Sequence, residues 1–412
     1  MVQIVVVGGG PAGMMAAGQA AKTGAKVVLL ERNSRLGKKL AITGKGRGNI
    51  TNAADIEDMI RQYPGNRSFL YGPLYRFTNE DLRRFFRDLG VATVIERGGR
   101  VFPESQRAQD IVAALEKFLI NHNVKIKKES RVTALLMNGS SVQGVKCNGE
   151  IVPADAVIIA TGGVSYPATG STGDGYTLAK QAGHTILTPQ PALVPLETKE
   201  RWVRDVTGVA LKNVRAKLYV NEQLVAEEFG EMLFTHYGIS GPIILTISRQ
   251  AVMALSQGKQ VQVKLNLKPA LTAEQLDARL LRDFNKNIRK QFKNSLNCLL
   301  PQRLIGTMIK LSQIPPETPV NQITKEQRQA MLKALTELTL HIKSVRPLSE
   351  AIVTAGGVAV TEIQPTTMAS KLVTGLYFAG EIIDIDGNTG GYNLQAAFST
   401  GFVAGISAAK QE

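Results

Sequence analysis

The stretch QIVVVGGGPAGMMAAGQAAKTGAKVVLLE, residues 3–31, decides the fold. It contains an apolar run, a turn with the spacing Gly8-x-Gly10-x-x-Gly13, a segment of small residues and a second apolar run that ends at Glu31. In this spacing the first glycine permits a tight turn, the second leaves room for a pyrophosphate beside the backbone, and the third allows a helix to pack closely on a strand. The pattern therefore predicts a strand–helix–strand unit that binds a dinucleotide at its helix N-terminus, with Glu31 accepting hydrogen bonds from the adenosine ribose.

The other end of the chain distinguishes FAD from NAD. Residues 372–409 read LVTGLYFAGEIIDIDGNTGGYNLQAAFSTGFVAGISAA. An apolar strand ends at Ala379-Gly380-Glu381, and a helix of small residues follows the glycine pair that ends at Gly391. A nicotinamide site needs no such return of the chain, whereas FAD is long enough to be held by both ends of a sequence. We therefore expect FAD.

Five blocks of sequence, in this order, carry a resemblance to a known family. They are RLGKKLAITGKGRGNITN (35–52), RGGRVFPES (97–105), ATGGVSYPATGSTGDGY (160–176), GEMLFTHYGISGP (230–242) and AGEIIDIDGNTGGYNLQAAFSTG (379–401). Together they resemble the BaiN/RdsA-like (YhiN-type) bacterial FAD-dependent oxidoreductase family, over nearly the whole chain. The resemblance implies a glutathione-reductase-like FAD-binding fold.

The glycine motif and the resemblance together predict a cofactor site with residues from both ends of the chain. It comprises Gly8, Gly10, Pro11, Ala12, Gly13, Glu31, Arg32, Lys39, Thr43, Gly44, Gly46, Arg47, Asn49, Val132, Thr161, Gly162, Gly380, Glu381, Gly391, Tyr392, Asn393 and Leu394. In such a family the glycine-rich loop at 38–52 runs along the FAD. Its backbone N–H groups and the cations Lys39 and Arg47 suit the diphosphate.

The resemblance also implies roles for single residues. Val132 would meet the adenine through its backbone, and Thr161-Gly162 would close over the cofactor. Glu381 would hold the ribityl hydroxyls. The last helix, which begins near Tyr392-Asn393, would point its N-terminus at the N1/C2=O edge of the isoalloxazine and stabilise negative charge there.

The rest of the sequence predicts an α/β protein with three parts. We expect a Rossmann-like (glutathione-reductase-type) FAD-binding domain from residues 1–189 plus 346–412. Alternating apolar positions predict an antiparallel β-barrel-like domain from 190–268 plus 338–345. Between these strands lies a helical insertion, 269–337. No dedicated NAD(P)H domain is visible, so NAD(P)H would act as a transient reductant.

The charge balance invites a polyanionic partner. The chain has 49 Lys+Arg and 34 Asp+Glu, a formal net charge of +15. In the insertion, the segment 272–293 predicts a helix with an apolar stripe opposite a basic face. The basic residues that we predict to contact nucleic acid are Arg282, Lys286, Arg289, Lys290 and Lys293. The alternative is a basic face that is only solvated.

Other features concern the compartment and metal binding. Cys147 and Cys298 lie far apart, which favours a reduced compartment, and we expect the cytoplasm. The four histidines show no metal-binding spacing, so we predict no metal site. No stretch is apolar for long enough to cross a membrane, and we expect no membrane association.

The family resemblance implies NAD(P)H-driven reduction of a C=C bond by hydride from flavin N5. Such a reaction needs a proton donor, and the candidates are His236, Arg100 and Tyr237. The resemblance implies either small unsaturated molecules or uridine in ribosomal RNA, reduced to dihydrouridine, as the substrate. The net charge and the basic insertion favour the RNA. Two alternatives stay open: a small-molecule flavin reductase or amine oxidase, and a non-catalytic flavin-binding scaffold.

Overall fold

A computed structural model describes residues 1–411 of the chain and shows two compact units. The first unit comprises Met1–Pro191 and the chain from Leu348 onward, and the second comprises Ala192–Pro347. Each unit has its own buried apolar core. The finer division into three domains stays a prediction, because the barrel strands and the inserted helices share the apolar core of the second unit.

The strands and helices are numbered in chain order. The strands are β1 (Gln3–Val7), β2 (Lys26–Leu30), β3 (Thr51–Asn52), β4 (Thr93–Ile95), β5 (Arg100–Pro103), β6 (Lys125–Lys127), β7 (Val132–Asn138), β8 (Ser141–Cys147), β9 (Glu150–Pro153), β10 (Ala156–Ile159), β11 (Ile186–Ala192), β12 (Leu196–Thr198), β13 (Ala210–Val220), β14 (Gln223–Phe234), β15 (Gly238–Ser240), β16 (Val261–Asn266), β17 (Leu338–Val345), β18 (Val353–Val358) and β19 (Leu376–Phe378). The α-helices are α1 (Pro11–Lys22), α2 (Lys38–Ile42), α3 (Ile56–Arg61), α4 (Tyr71–Arg76), α5 (Asn79–Asp88), α6 (Ala108–Asn121), α7 (Asp174–Gln181), α8 (Pro242–Ser256), α9 (Ala273–Lys286), α10 (Gln302–Ser312), α11 (Lys325–Thr336) and α12 (Tyr392–Lys410). None of these helices is long and apolar enough to cross a lipid bilayer.

A parallel sheet organises the first unit. Its strand order is β19-β10-β1-β2-β6, and each neighbouring pair is parallel. The central strand β1 is apolar at Ile4, Val5, Val6 and Val7, and all four are buried, as expected for a parallel strand covered on both faces. Smaller sheets, β3-β5-β4, β7-β8-β9 and β11-β18, complete this unit. The predicted Rossmann-like fold is confirmed.

The first and last helices of the chain pack directly against each other. A methyl group on Gly401 of α12 would lie 2.4 Å from the carbonyl oxygen of Ala12, and one on Gly405 would lie 2.3 Å from that of Ala16. Only glycine fits at such separations, since side-chain carbons do not approach backbone oxygens so closely. The small residues of both helices therefore bring the N-terminal glycine turn and the C-terminal segment to the same place.

The second unit is built on a closed antiparallel barrel with the strand order β12-β15-β14-β13-β16-β17. Its strands alternate between buried apolar and more exposed polar residues, as Val261, Val263 and Leu265 show in β16. The predicted barrel-like domain and the helices inserted between β16 and β17 are confirmed as parts of the fold.

Two local predictions in the second unit were incomplete. Helix α8 lies within a region for which we predicted only strands, although Ile243, Ile247, Ala251 and Ala254 have helical spacing and are buried. The helix predicted over 272–293 ends at Lys286. Beyond that residue the chain carries several cations and few acids, so a continued helix would place like charges three and four residues apart.

Candidate functional site

The glycine turn after β1 has the geometry that a pyrophosphate site requires. Gly8 has φ +106°, which side chains rarely adopt, and a methyl group on Gly13 would lie 1.9 Å from the Gly8 carbonyl oxygen. A methyl group on Gly10 would have no described atom within 4 Å. Gly8 is therefore required by its backbone conformation and Gly13 by packing. Gly10 borders open space at the N-terminus of α1, where an anion is favoured.

Glu31 faces this turn from the end of β2. Its carboxylate is buried, with Oε2 accepting the Gly9 N–H at 2.7 Å and Oε1 accepting the Asn33 N–H at 2.7 Å. These bonds fix the acid beside the glycine turn, which is the position expected of a residue that binds the adenosine ribose.

Arg32, the next residue, is half-buried and pairs with an acid. Its guanidinium donates to Asp174 Oδ2 at 3.0 Å, and Arg131, which precedes Val132, donates to both Asp174 oxygens at 2.8 and 3.0 Å. The Arg131 hydrogen bonds lower the pKa of Asp174, and the charges of Arg32 and Arg131 act in the same direction. This ion-pair cluster joins the end of β2 to the start of β7, where Val132 lies buried.

The glycine-rich loop after α2 is tightly bonded to itself. The Thr43 N–H donates to Leu40 O at 3.1 Å, and the Gly46 N–H is shared between Ile42 O and Thr43 O. The Arg47 guanidinium donates to Gln106 Oε1 at 2.6 Å and also to Glu96. The roles of Thr43, Gly44, Gly46 and Arg47 at a diphosphate stay predictions, and for three of them an internal partner would have to be exchanged.

The structure brings Lys39 and Glu381 together from opposite ends of the chain. Lys39 Nζ donates to Glu381 Oε2 at 2.7 Å and to Ser165 Oγ at 2.6 Å. The second carboxylate oxygen accepts the Thr354 N–H at 2.8 Å and the Ser165 hydroxyl at 3.1 Å. Sequence reasoning missed Ser165 and Thr354, since neither is part of a nucleotide-binding motif of its own.

The start of α12 is fitted against β3. Gly391 has φ +104°, and a methyl group there would lie 2.2 Å from Thr51 O. With its amide oriented so that both atoms are satisfied, Asn49 accepts the Gly391 N–H at 3.0 Å. Asn52 Nδ2 donates to Gly390 O at 3.1 Å. The glycine-rich loop thus ends at the N-terminus of the last helix.

The first turn of α12 is itself positioned by side chains. Asn393 accepts the Gly387 N–H at 2.8 Å and donates to Gly387 O at 2.7 Å, and buried Tyr63 donates to Tyr392 O at 2.7 Å. The first N–H groups of a helix have no partner within it, so those of Asn393 and Leu394 are suited to a ligand oxygen. Gly380, at the end of β19, has φ +79° and donates its N–H to Thr400 Oγ1.

Two buried hydroxyl groups on this side of the sheet lack a partner among the described residues: Thr161 Oγ1 and the Tyr176 phenol. Burial, with the nearby charges of Glu381 and Asp384, raises the pKa of Tyr176 well above its usual range, so the phenol keeps its proton. Gly162, beside Thr161, has φ +73°. A buried polar atom without a partner is costly, and a ligand with hydroxyl and phosphate groups would satisfy both. The residues present therefore fit FAD.

The three proton-donor candidates lie in two units. Arg100, in β5 of the first unit, donates to Arg97 O at 3.1 Å and lies 3.9 Å from Glu96. His236 and Tyr237 lie in the turn between β14 and β15 of the second unit, with ring centroids 4.7 Å apart and Arg346 over the Tyr237 ring. His236 is exposed and Tyr237 half-buried. Their roles in proton transfer stay predictions.

The five basic residues of the insertion that we predicted to contact nucleic acid are all exposed. Arg282 and Lys286 lie on α9, Arg289 and Lys290 follow its end, and Lys293 lies in the short 3-10 helix Phe292–Asn294. In the part of the chain that the structure describes, Lys293 pairs with Glu317 at 2.9 Å, and the other four make no ion pair. We call these five residues the basic segment. Across residues 1–411 no cluster of three or more His, Cys, Asp or Glu could hold a metal ion.

Comparisons with known proteins agree with this architecture. The HI0933-like protein Rossmann domain family matches residues 2–407. The chain is 34% identical over 413 residues to the 3-dehydro-bile acid delta(4,6)-reductase of Clostridium scindens, with all of both chains covered. It is 30% identical over 397 residues to the ribosomal RNA dihydrouridine synthase of Escherichia coli, covering 96% of this chain and 95% of the relative.

Among solved structures, the 3-ketosteroid delta1-dehydrogenase of Sterolibacterium denitrificans superposes with a TM-score of 0.57 over all of both chains, at 13% identity. At that identity the likeness establishes the fold alone.

Proposed function

The chain belongs to the HI0933-like Rossmann family and is an FAD-dependent oxidoreductase, and we propose that it reduces a C=C bond of uridine in ribosomal RNA with electrons from NAD(P)H. The observation that supports the flavin chemistry is the convergence of the glycine turn after β1, the loop at 38–52 and the start of α12. The family resemblance drawn from the sequence is confirmed.

FAD, when bound, supplies two-electron redox chemistry, and the chain supplies orientation and electrostatics. We propose that the Gly8–Gly13 turn and Glu31 hold the pyrophosphate and adenosine. Thr161, Tyr176 and Glu381 would bind hydroxyl groups, with Lys39 fixing the position of the Glu381 carboxylate at 2.7 Å. The first N–H groups of α12 would face the ring system and favour negative charge on it.

Two features support RNA as the substrate. The relative from Escherichia coli is named a ribosomal RNA dihydrouridine synthase. The basic segment places five exposed cations within twelve residues, 282–293, that contain Asp283 as their single acid. Phosphate contacts dominate the affinity of proteins for nucleic acids, so this segment is suited to bind an RNA backbone without reading its sequence.

A second candidate function is reduction of a small unsaturated molecule. The relative from Clostridium scindens is named a bile acid reductase and is 34% identical to this chain, which is more than the RNA-modifying relative. Under this function the basic segment would be a solvated surface, and turnover would be insensitive to its charge.

The substrate is tested by mapping dihydrouridine in ribosomal RNA from cells with and without the gene by mass spectrometry. We expect one or more uridines to remain unreduced when the gene is removed, and reduction by the purified holoenzyme with NADH or NADPH to restore the modification. Identical RNA from both cells would reject RNA as the substrate. Turnover of a small enone by the same preparation would then support the second candidate.

The role of the basic segment is tested by the triple variant Lys286→Gln, Arg289→Gln, Lys290→Gln. Each phosphate contact removed lowers the slope of log affinity against log salt by about 0.7–0.9, so we expect a loss of roughly two units. A matched control is Lys22→Gln, Lys26→Gln, Lys125→Gln, which removes three exposed charges of the first unit, at the end of α1 and the starts of β2 and β6. Equal slopes for the two triple variants would show that the basic segment does not contact RNA.

A further inference from the structure

Two arginines of the first unit converge on one aromatic ring. The guanidinium carbon of Arg47 lies 4.2 Å from the centroid of Phe102, and that of Arg100 lies 5.8 Å from it. Phe102 itself is buried, so the ring is a fixed base for both cations. Glu96 contacts both guanidinium groups, and Gln106 accepts from Arg47. We call these five residues the arginine cluster.

The cluster is held in place but not neutralised. One carboxylate, Glu96, serves two arginines, and both arginine side chains stay partly exposed, at 39% for Arg47 and 42% for Arg100. Within residues 45–47 and 96–110 there are five basic residues and three acids, and one of these acids, Asp110, pairs with Arg107 at 3.5 Å. The surface around the cluster therefore carries excess positive charge.

The cluster also lies next to the predicted ring end of the cofactor. Arg100 is the register partner of Asn52 in the β3–β5 pair, and Asn52 binds Gly390 O directly before α12. The Ala53 N–H donates to Gly99 O at 2.7 Å, which ties the two loops together. Arg100 thus lies on the strand paired with β3, which contacts the residues directly before α12, and Arg47 joins Arg100 through Glu96 and Phe102.

We propose that Arg47 and Arg100 form a binding site for a phosphate group of the substrate RNA, next to the nucleotide that is reduced. This inference rests on the proposed function. It departs from the sequence-based role of Arg47 at the FAD diphosphate, because Glu96 and the Phe102 ring join Arg47 to Arg100 of β5. Among the described residues neither Nη1 atom has a hydrogen-bond partner, so both planar guanidinium groups keep N–H donors that match a phosphate geometrically, as a single lysine does not.

The experiment measures binding of a uridine-containing RNA stem-loop to the flavin-loaded protein, by fluorescence anisotropy over a range of salt concentrations. Arg47→Gln and Arg100→Gln are each expected to lower the log–log slope by about 0.7–0.9 and to leave FAD bound. The control is Arg61→Gln, an exposed arginine of α3 that pairs with Asp58 at 2.6 Å. Arg47→Lys and Arg100→Lys keep the positive charge but lack the planar guanidinium group. We expect both variants to keep the slope of log affinity against log salt and to bind the RNA more weakly.

The outcomes separate this inference from the proposed function. A wild-type protein that does not bind the stem-loop overturns both. If the wild type binds and the glutamine variants keep its slope, the phosphate site is rejected while RNA as substrate stands. If Arg47→Gln releases FAD at concentrations where Arg61→Gln retains it, Arg47 is a cofactor ligand and the inference fails. Inorganic phosphate can also be tested as a competitor of the stem-loop at constant ionic strength. Weaker competition in Arg100→Gln than in wild type would show that the site accepts the isolated anion as well.

Discussion

The two units use glycine and charge differently. In the first unit, glycines that the fold needs also build the candidate site: Gly8 and Gly391 have positive φ, and Gly13 and Gly391 leave no room for a methyl group. In the second unit the core is a pattern of alternating apolar residues, and its distinctive chemistry is a set of exposed cations outside that pattern. Fold and site are therefore coupled in the first unit and separable in the second.

The largest expected effect is that of Gly13→Ala. The added methyl group would lie 1.9 Å from Gly8 O, so either α1 or the turn must move. Overpacking of this kind costs about 1–3 kcal/mol, and more where backbone must shift. We expect a variant that purifies without flavin and melts at a markedly lower temperature than the wild-type apoprotein, as measured by circular dichroism. Normal stability with normal flavin content would break the coupling argued for the first unit.

Gly10→Ala should separate stability from binding at the same turn. Gly10 has φ −81° and ψ −177°, which any residue adopts, and its added methyl group meets no described atom. We expect the free energy of unfolding of the apoprotein to stay within about 0.5 kcal/mol of wild type. The affinity for FAD should fall at least about tenfold, because the methyl group occupies the space expected of the pyrophosphate. Unchanged affinity, measured by flavin fluorescence quenching, would place the pyrophosphate elsewhere.

The sequence predicted features that depend on neighbouring residues better than features that depend on distant ones. The turn at Gly8–Gly13 was predictable because its chemistry depends on neighbours in sequence. The Lys39–Glu381 pair was not, since its partners are far apart in the chain and each was expected to meet the cofactor instead. Helix α9 was predicted too long because the apolar spacing continues to Ile288 and Phe292, although charge repulsion and Asn287 end the helix. Ile288 is exposed, while Phe292 reaches the core from a separate turn.

Two lysine variants compare an ion pair of the first unit with an ion pair of the second. Lys39 and Glu381 are 25% and 21% exposed, whereas Lys293 and Glu317 are 41% and 60% exposed. Removing one partner of an ion pair destabilises the protein more when the remaining charge is more deeply buried. Exposed pairs contribute little to stability. We expect Lys39→Met to destabilise the protein by about 1–2 kcal/mol and Lys293→Met by less than about 0.5 kcal/mol, in urea unfolding. Equal losses would contradict the assigned difference between the units.

Asp174→Asn tests the ion-pair cluster through its pH dependence. Hydrogen bonding from Arg131 and the nearby charges lower the pKa of Asp174 below 3.8, its ordinary value. A carboxyl with a lower pKa in the folded state contributes stability that is present above pH 3.8 and is lost as pH falls through the folded value. The variant should therefore have a lower free energy of unfolding than wild type at pH 6. The difference between the two free energies should become smaller toward pH 3. A difference in free energy of unfolding that does not change with pH would mean that packing, not charge, destabilises the variant.

The last expected effect is a small gain in the stability of the second unit. Gly306 lies in the interior of α10 on its exposed side, and a methyl group there would have no described atom within 4 Å. Alanine loses less backbone entropy than glycine in a helix, so Gly306→Ala should stabilise the protein by about 0.5–1 kcal/mol. Urea unfolding of the holoprotein measures this, with flavin content expected to stay at the wild-type level. A loss of stability would show that this glycine, like those of the first unit, is required by the fold, and the contrast between the units would narrow to their charges.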